Sequence, residues 1–322
     1  MNSPSGGHTA ALSPDAVLTS IDAVLWERYG RVRQPGDISA TDSFFFNTGP
    51  TVGIGFIWDE DTNVGDFEEI EEQEEFLKTD PFIGNQKTIQ SKKFYKQVPI
   101  SDEAFRADLV GKRDKIGKQV GDKARQTQDK RALLDTYADA FAGSVNTTPD
   151  GQALYSNAHV ALKYGTSVDN LETGSLTPDN LWTNVNALAN QKGQDGDAGS
   201  HVFEGFLSNF NNYRAAKEIM NSALVANSGE NNINIFDTVY GQVRIAASIF
   251  LNTAYNSATN AATSYHVLSA DHQVMRKTFY GLTTHMKTPE VTNNDSYAYV
   301  AKFNEVCFPG SWTGAQGRDG SV

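Results

Sequence analysis

The residues that could do chemistry are few and scattered. The six histidines, His8, His159, His201, His266, His272 and His285, share no HExxH spacing and no other metal-ligand pattern, and a single cysteine, Cys307, leaves no CxxC. Cys307 sits inside the apolar run YVAKFNEVCF and reads as a buried structural thiol rather than a nucleophile. GxSxG, Walker A and dinucleotide fingerprints are missing; the glycines of GPTVGIGF lack the order a phosphate loop needs and read as a turn leading into a strand. The nearest approach to a metal motif is an EF-hand frame with Asp59, Asp61 and Asn63 at its first, third and fifth positions. It fails because Val64 takes the place of the turn glycine and Ile70 that of the bidentate glutamate. No catalytic, cofactor-binding or metal residue is assigned, and no cofactor is expected.

Charge patterning is the stronger signal. The formal net charge of −12 opposes tight, non-specific binding to phosphate backbones, so any basic surface must be local. Between Asp59 and Lys78 the chain reads DEDTNVGDFEEIEEQEEFLK, with acids that include Asp66, Glu68, Glu69, Glu71, Glu72, Glu74 and Glu75 against one base and few apolar side chains. Basic residues follow directly, among them Lys87, Lys92, Lys93, Lys96, Lys112, Arg113, Lys115, Lys118, Lys123, Arg125, Lys130 and Arg131. Charge runs are usually solvated faces. The sharper alternative is a mating pair between subunits, and a hairpin folding back on its own helix satisfies the same pattern. No run approaches the ~18 apolar residues of a membrane span, and MNSPSGGHTAAL lacks the regions of a signal peptide, so a chain made and kept in the cytoplasm, or in something assembled there, is expected.

The elements that must carry these charges are readable in outline. Ser13 as cap, Pro14 in the first turn and Val17, Leu18, Ile21, Val24 and Leu25 on one face predict a helix. Short strands are expected near Phe44 to Phe46 and Ile54 to Trp58. QKTIQSKKFYKQVPIS reads as a strand running back from the acidic stretch, making a long hairpin or extended loop. From Ser101, as N-cap, a long helix with Phe105, Leu109, Ile116 and Val120 on one stripe is expected to reach Gly143. Gly111, Gly117 and Gly121 each weaken it by roughly 1 kcal/mol and predict a bend. Thr177 and Pro178 begin an amphipathic helix through Leu181, Val185 and Leu188. A compact α/β module follows, with a strand at 202–207, a helix from Asn209 to about Ala223, and strands in VRIAASIFL, YHVLSA and FYGLTT. SYAYVAKFNEVCF is the last strand expected, and GSWTGAQGRDGSV reads as a polar tail. The 39% hydrophobic content suffices for a real core.

The order of parts resembles the major capsid proteins of tailed bacteriophages, of the Hong Kong ninety-seven type. The segments that carry the resemblance are PISDEAFRADL opening a long helix after an extended loop, DTYADAFAG followed by PDGQALYSNAHVAL, the LTPDNLWTNVNALANQKGQDG helix and the late strand AYVAKFNEVCFPGSW. The resemblance implies an α+β capsid fold with an N-terminal arm at 1–58, an extended β-hairpin loop at 59–99 and a peripheral domain with a long spine helix at 100–197. An axial α/β domain at 198–288 and a C-terminal return to the peripheral domain at 289–322 complete it. It implies a non-enzymatic major head protein of the virion, assembled in the host cytoplasm through hexamers and pentamers into an icosahedral shell around double-stranded DNA. Scaffold and portal proteins are then partners, a decoration protein is left open, and no membrane is involved. Some family members crosslink a loop lysine to an asparagine of a neighbour; Lys78 and Lys87 are loop lysines here, but no acceptor is identified and no crosslink is predicted. Under this reading the inter-subunit contacts are Asp66, Phe67, Glu68, Glu69, Glu71, Glu72, Phe76 and Phe82 on the loop, facing Lys92, Lys93, Lys112, Arg113, Lys115 and Lys118 on a neighbour. An α/β enzyme with a non-motif site and an acidic adaptor module are the competing classes.

Overall fold

The computed structural model describes residues 14–31, 36–51, 53–60, 84–102, 111–163, 165–197, 199, 201–222, 236, 240, 242–252, 254–259, 261–288 and 296–320. The chain divides into two compact units. The first draws on Met1–Val32, Lys92–Gln128 and Tyr280–Glu305, and the second on Arg33–Ser91, Asp129–Phe279 and Val306–Val322.

In the first unit, helix α1 (Pro14–Tyr29) buries Val17, Ile21 and Leu25, spaced four apart on one face. Each such side chain contributes roughly 1.5–3 kcal/mol when taken fully from water. They pack on Ile100 of strand β4 (Lys92–Ser101), on Val120 of helix α2 (Lys112–Leu134), and on Tyr299 and Ala301 of strand β12 (Ser296–Pro309). The α2 glycines have a role that helix propensity does not show. A Cβ on Gly117 would lie 2.7 Å from the Ile21 carbonyl oxygen, and one on Gly121 would lie 2.5 Å from that of Leu25. The two glycines are the groove into which α1 settles, one turn apart. Gly111 stands just before the helix with φ +63, a left-handed conformation that favours glycine. The expected cap Ser101 is instead the last residue of β4, and Ser13, Phe105 and Leu109 lie outside the described residues.

The helix also stops earlier than periodicity suggests. After Leu134, Ala138 N–H reaches back to the Leu133 carbonyl at 2.8 Å, and turns replace helix up to Gly143. The Asp139 carboxylate stabilises this departure by accepting from the backbone N–H groups of Ser144, Val145 and Asn146 at 2.7–3.0 Å. The buried Tyr137 hydroxyl donates to the Phe45 carbonyl at 2.6 Å.

The second unit is built on a five-stranded sheet ordered β7-β13-β10-β8-β9, with β7 at Leu171–Glu172, β8 at Gly205–Ser208, β9 at Arg244–Ala247, β10 at Tyr265–Leu268 and β13 at Ala315–Arg318. Its faces alternate as strand geometry requires. Phe206, Tyr265 and Val267 meet Leu181, Val185 and Leu188 of α3 (Pro178–Ala189) and Ala216, Ile219 and Met220 of α4 (Phe210–Asn221). Leu207, Leu268 and Ala315 face Phe45, Leu133, Tyr137 and Tyr155. Thr177 caps α3 by accepting from Asn180 N–H at 3.1 Å, and Asn209 caps α4 in the same way through Asn212 at 3.0 Å. The expected strand in VRIAASIFL is half strand, β9, and half a short 3-10 turn, Ile249–Leu251.

GSWTGAQGRDGSV is no tail. Its residues Ala315–Arg318 form β13, paired antiparallel with β10 and parallel with β7, and every one of them is buried. Gly317 makes room for the Tyr155 ring, which would stand 2.3 Å from a Cβ there. Arg318 donates to Asn184 at 2.9 Å and lies 3.7 Å from Glu172. The PDGQALYSNAHVAL segment wraps this strand. Asn170 donates to the carbonyls of Leu154 and Ala315, and His159, paired with Asp150 at 2.7 Å, stacks on the buried Trp312.

Among the described residues the remaining strands form three further sheets. The first is four-stranded, ordered β1-β11-β12-β4, with β1 at Asn47–Pro50 and β11 at Val274–Lys287. The second is a hairpin of β2 (Gly55–Asp59) with β3 (Gln86–Gln90), the root of the expected loop. The third is the small pair β5 (His159–Val160) and β6 (Ser167–Val168).

Candidate assembly surface

The groups best suited to chemistry are spent on structure. His266 is wholly buried and pushed down to about 3 by that burial. His272 is pushed down to about 4 by burial, which outweighs its bond to the Phe44 carbonyl. His201 pairs with Asp271 at 2.6 Å, and Ser269 bonds the same carboxylate. That order leaves the serine hydroxyl on the carboxylate and not on the imidazole, so the nucleophile–base contact of a hydrolase is missing. Cys307 is buried within the second unit's core. Among the described residues no cluster of His, Cys, Asp or Glu has the arrangement to hold a metal ion, and no helix is long and apolar enough to cross a membrane.

What the first unit does offer is an open apolar groove of about 340 Å³. One wall is α2, whose Val120, Lys123, Ala124 and Thr127 recur at helical spacing. The floor and far wall come from Phe94, Tyr95 and Lys96 on β4, Leu282 on β11, and Ala301 and Phe303 on β12. The helix face carrying Gly117 and Gly121 is taken by α1, which leaves the face one step round for the groove. Two alanines at facing positions do not fill it. Phe94 and Phe303, opposite one another in the β4–β12 ladder, stack at 4.9 Å and stiffen its floor. Tyr95 is 51% exposed at its rim, with the Lys287 ammonium 5.9 Å from its ring.

The predicted bases stand on the elements that build this groove. Lys92 and Lys93 are exposed on β4, opposite Glu305 and Asn304 of β12, and among the described residues β4 is the last strand of its sheet. Lys112, Lys115 and Lys118 are exposed along the first turns of α2, and Arg113 is half-buried there. The acidic and aromatic partners, Asp66, Phe67, Glu68, Glu69, Glu71, Glu72, Phe76 and Phe82, lie outside the described residues. Sequence reasoning missed the groove itself. Its signal was available in the small Ala124 on a stripe with Val120 and Thr127, but small residues on a helix do not announce what they fail to fill.

No protein-family model and no curated protein matches the chain. Solved structures do. The chain is similar to that of "Capsid of native GTA particle computed with C5 symmetry" with a TM-score of 0.56 and 10% identity, covering 91% of this chain and 94% of that one. It is similar to "Asymmetric unit of bacteriophage PhiM1 mature capsid" with a TM-score of 0.53 and 11% identity, over 84% and 83% of the two chains. It is also similar to "The capsid of Myoviridae Phage XM1", with a TM-score of 0.50 and 11% identity, over 90% and 94%. The chain therefore has the α+β fold of these capsid chains, the fold that the order of its sequence segments led one to expect.

Proposed function

We propose that this chain is a major capsid protein that assembles with copies of itself, through hexamers and pentamers, into an icosahedral shell around phage double-stranded DNA. The observation that carries the reading is the fold likeness, which spans 91% of this chain and 94% of a capsid chain and leaves little of either unaccounted for. The protein acts by packing, without catalysis, as a component of the virion. Arm, extended loop, peripheral domain and axial domain follow the boundaries given above. The net charge of −12 suits a container wall past which packaged duplex slides without adhering. Scaffold and portal proteins are its assembly partners, and assembly takes place in the host cytoplasm.

The loop of one copy, in this reading, lies on the first unit of the next. Its aromatics Phe67, Phe76 and Phe82 seek the groove beside α2, and its acids meet Lys92, Lys93, Lys112, Arg113, Lys115 and Lys118. Each exposed pair supplies only about 0.2–1 kcal/mol, so charge sets register and apolar burial supplies most of the affinity. The test is size-exclusion chromatography with negative-stain microscopy of the full chain, beside a variant carrying Glu68→Lys, Glu69→Lys, Glu71→Lys and Glu72→Lys. Shells, tubes or hexamer–pentamer mixtures are expected from the parent, and a folded but unassembled protein from the variant. A parent that stays a monomer or dimer contradicts the shell reading. Normal shells from the variant contradict the electrostatic pairing alone.

A further inference from the structure

The two described ends of the 61–83 segment meet in the second unit. Glu60 N–H donates to the Asn85 carbonyl at 3.1 Å, one step beyond the last β2–β3 pair of Asp59 with Gln86. A Cβ on Gly84 would lie 2.2 Å from the Glu60 carbonyl oxygen, so this crossing requires glycine. The Glu60 side chain turns inward, leaving the residue 2% exposed. Its carboxylate accepts from Ser311 Oγ at 2.8 Å and more weakly from Asn85 Nδ2 at 3.4 Å. Both donors are neutral. Ser311 precedes Trp312, whose carbonyl accepts from Asn170 and Gln191, so this contact ties the root of the segment to the inner framework of its unit.

Among the described residues the surrounding charges supply no counter-ion. Asp150, on the 148–152 turn, has the same sign and is engaged by His159 of β5. Lys87 of β3 reaches the Thr147 carbonyl and hydroxyl, and the charge acting on it is that of Asp139. Gln194 and Ser311 face the carboxyl from their loops, and Asn85 from the returning chain. A carboxylate buried without a cation is costly, and the neutral acid is the form such a wall accepts.

We infer that Glu60 is a proton-operated latch for the root of the 61–83 segment: protonated, it keeps the β2–β3 end docked on the Ser311 loop, and ionised, it lets that end come away. Burial is the main cause that pushes its carboxyl up to about 7, Asp150 adds to the rise, and the bonds from Ser311 and Asn85, with the Gln194 amide nearby, oppose it. Because the folded value lies above the ordinary 4.5, the docking contribution is fully present below about pH 4.5 and is lost as pH rises towards about 7.

Hydrogen–deuterium exchange on the full chain between pH 5.5 and 8.5, with labelling times scaled for the intrinsic exchange rate, tests this. Peptides covering 54–60 and 84–91 are expected to lose roughly tenfold protection or more across that range, since each unit of pKa difference corresponds to about a factor of ten. Glu60→Gln, which stays neutral, is expected to hold its protection at pH 8.5 within about threefold of its value at pH 5.5. Asp150→Asn is expected to leave the pH dependence in place and move its midpoint down. Protection that does not vary with pH in the parent, or an unchanged profile in Glu60→Gln, overturns the latch. Should the glutamine variant not fold, Ser311→Ala decides: lost protection at pH 5.5 supports the docking contact, and protection unchanged at both ends of the range overturns it.

Discussion

Strand β13 reads Ala-Gln-Gly-Arg and is buried at every position, whereas β4 reads Lys-Lys-Phe-Tyr-Lys-Gln-Val-Pro-Ile-Ser and is exposed at most of them. Composition does not separate the two; neighbours do. β13 lies between β7 and β10, so both its backbone edges are paired, and its Arg318 side chain finds fixed partners in Asn184 and Glu172. Among the described residues β4 ends its sheet and pairs only with β12 there. Its lysines and Pro99 are what a long edge strand carries to discourage indiscriminate pairing, while Tyr95 leaves an aromatic ring half exposed at its surface. One region pairs both its edges and buries every side chain, and the other leaves most of its side chains exposed.

Substitutions sharpen this contrast, beginning where the effect is largest. Gly317→Val drives a side chain into the Tyr155 ring at the centre of the buried sheet and is expected to destabilise by about 3 kcal/mol. Urea unfolding followed by tryptophan fluorescence measures it, and a loss under about 1 kcal/mol means that the ring yields and β13 is less fixed than argued. Gly121→Ala comes next. Its helix-propensity gain of about 1 kcal/mol is offset by a Cβ pressed against the Leu25 backbone, for a net loss of about 1 kcal/mol. A stabilised variant would instead favour the weak-helix reading of that glycine. The smallest effect belongs to the edge. Lys93→Ala combined with Lys118→Ala is expected to change stability by less than about 0.5 kcal/mol while slowing assembly, followed by light scattering. Unaltered assembly kinetics would remove these two bases from the proposed contact.

How much of this was legible in the sequence follows from the same physics. The cap Thr177, the apolar stripes of α1 and α3, the helix beginning near Asn209 and the strands that became β10 and β12 were readable because local preference and tertiary environment agree there. β13 was not, because Gly317 and Arg318 are chosen for Tyr155, Asn184 and Glu172, partners far away in sequence. The end of α2 was misjudged for a related reason. Ala-Asp-Ala-Phe-Ala is good helix material, and only the Asp139 carboxylate capturing three N–H groups shows why the backbone turns. Gly117 and Gly121 read as weak points since a sequence shows their missing side chains but not the helix that fills the space. Of the candidate surface, the bases of β4 and α2 were legible as a charge run, and the groove between them was not, because a cavity is a property of what several elements together fail to fill.

The central claim is that the acidic segment of one copy finishes the surface of another. Zero-length carboxylate–lysine crosslinking of assembled material, prepared from equal parts of nitrogen-14 and nitrogen-15 labelled chain, tests it most directly. Links from the 66–75 acids to Lys93, Lys96, Lys118 or Lys123 in mixed-isotope pairs are the result predicted. Links confined to pairs of a single isotope, each chain joined only to itself, would contradict it.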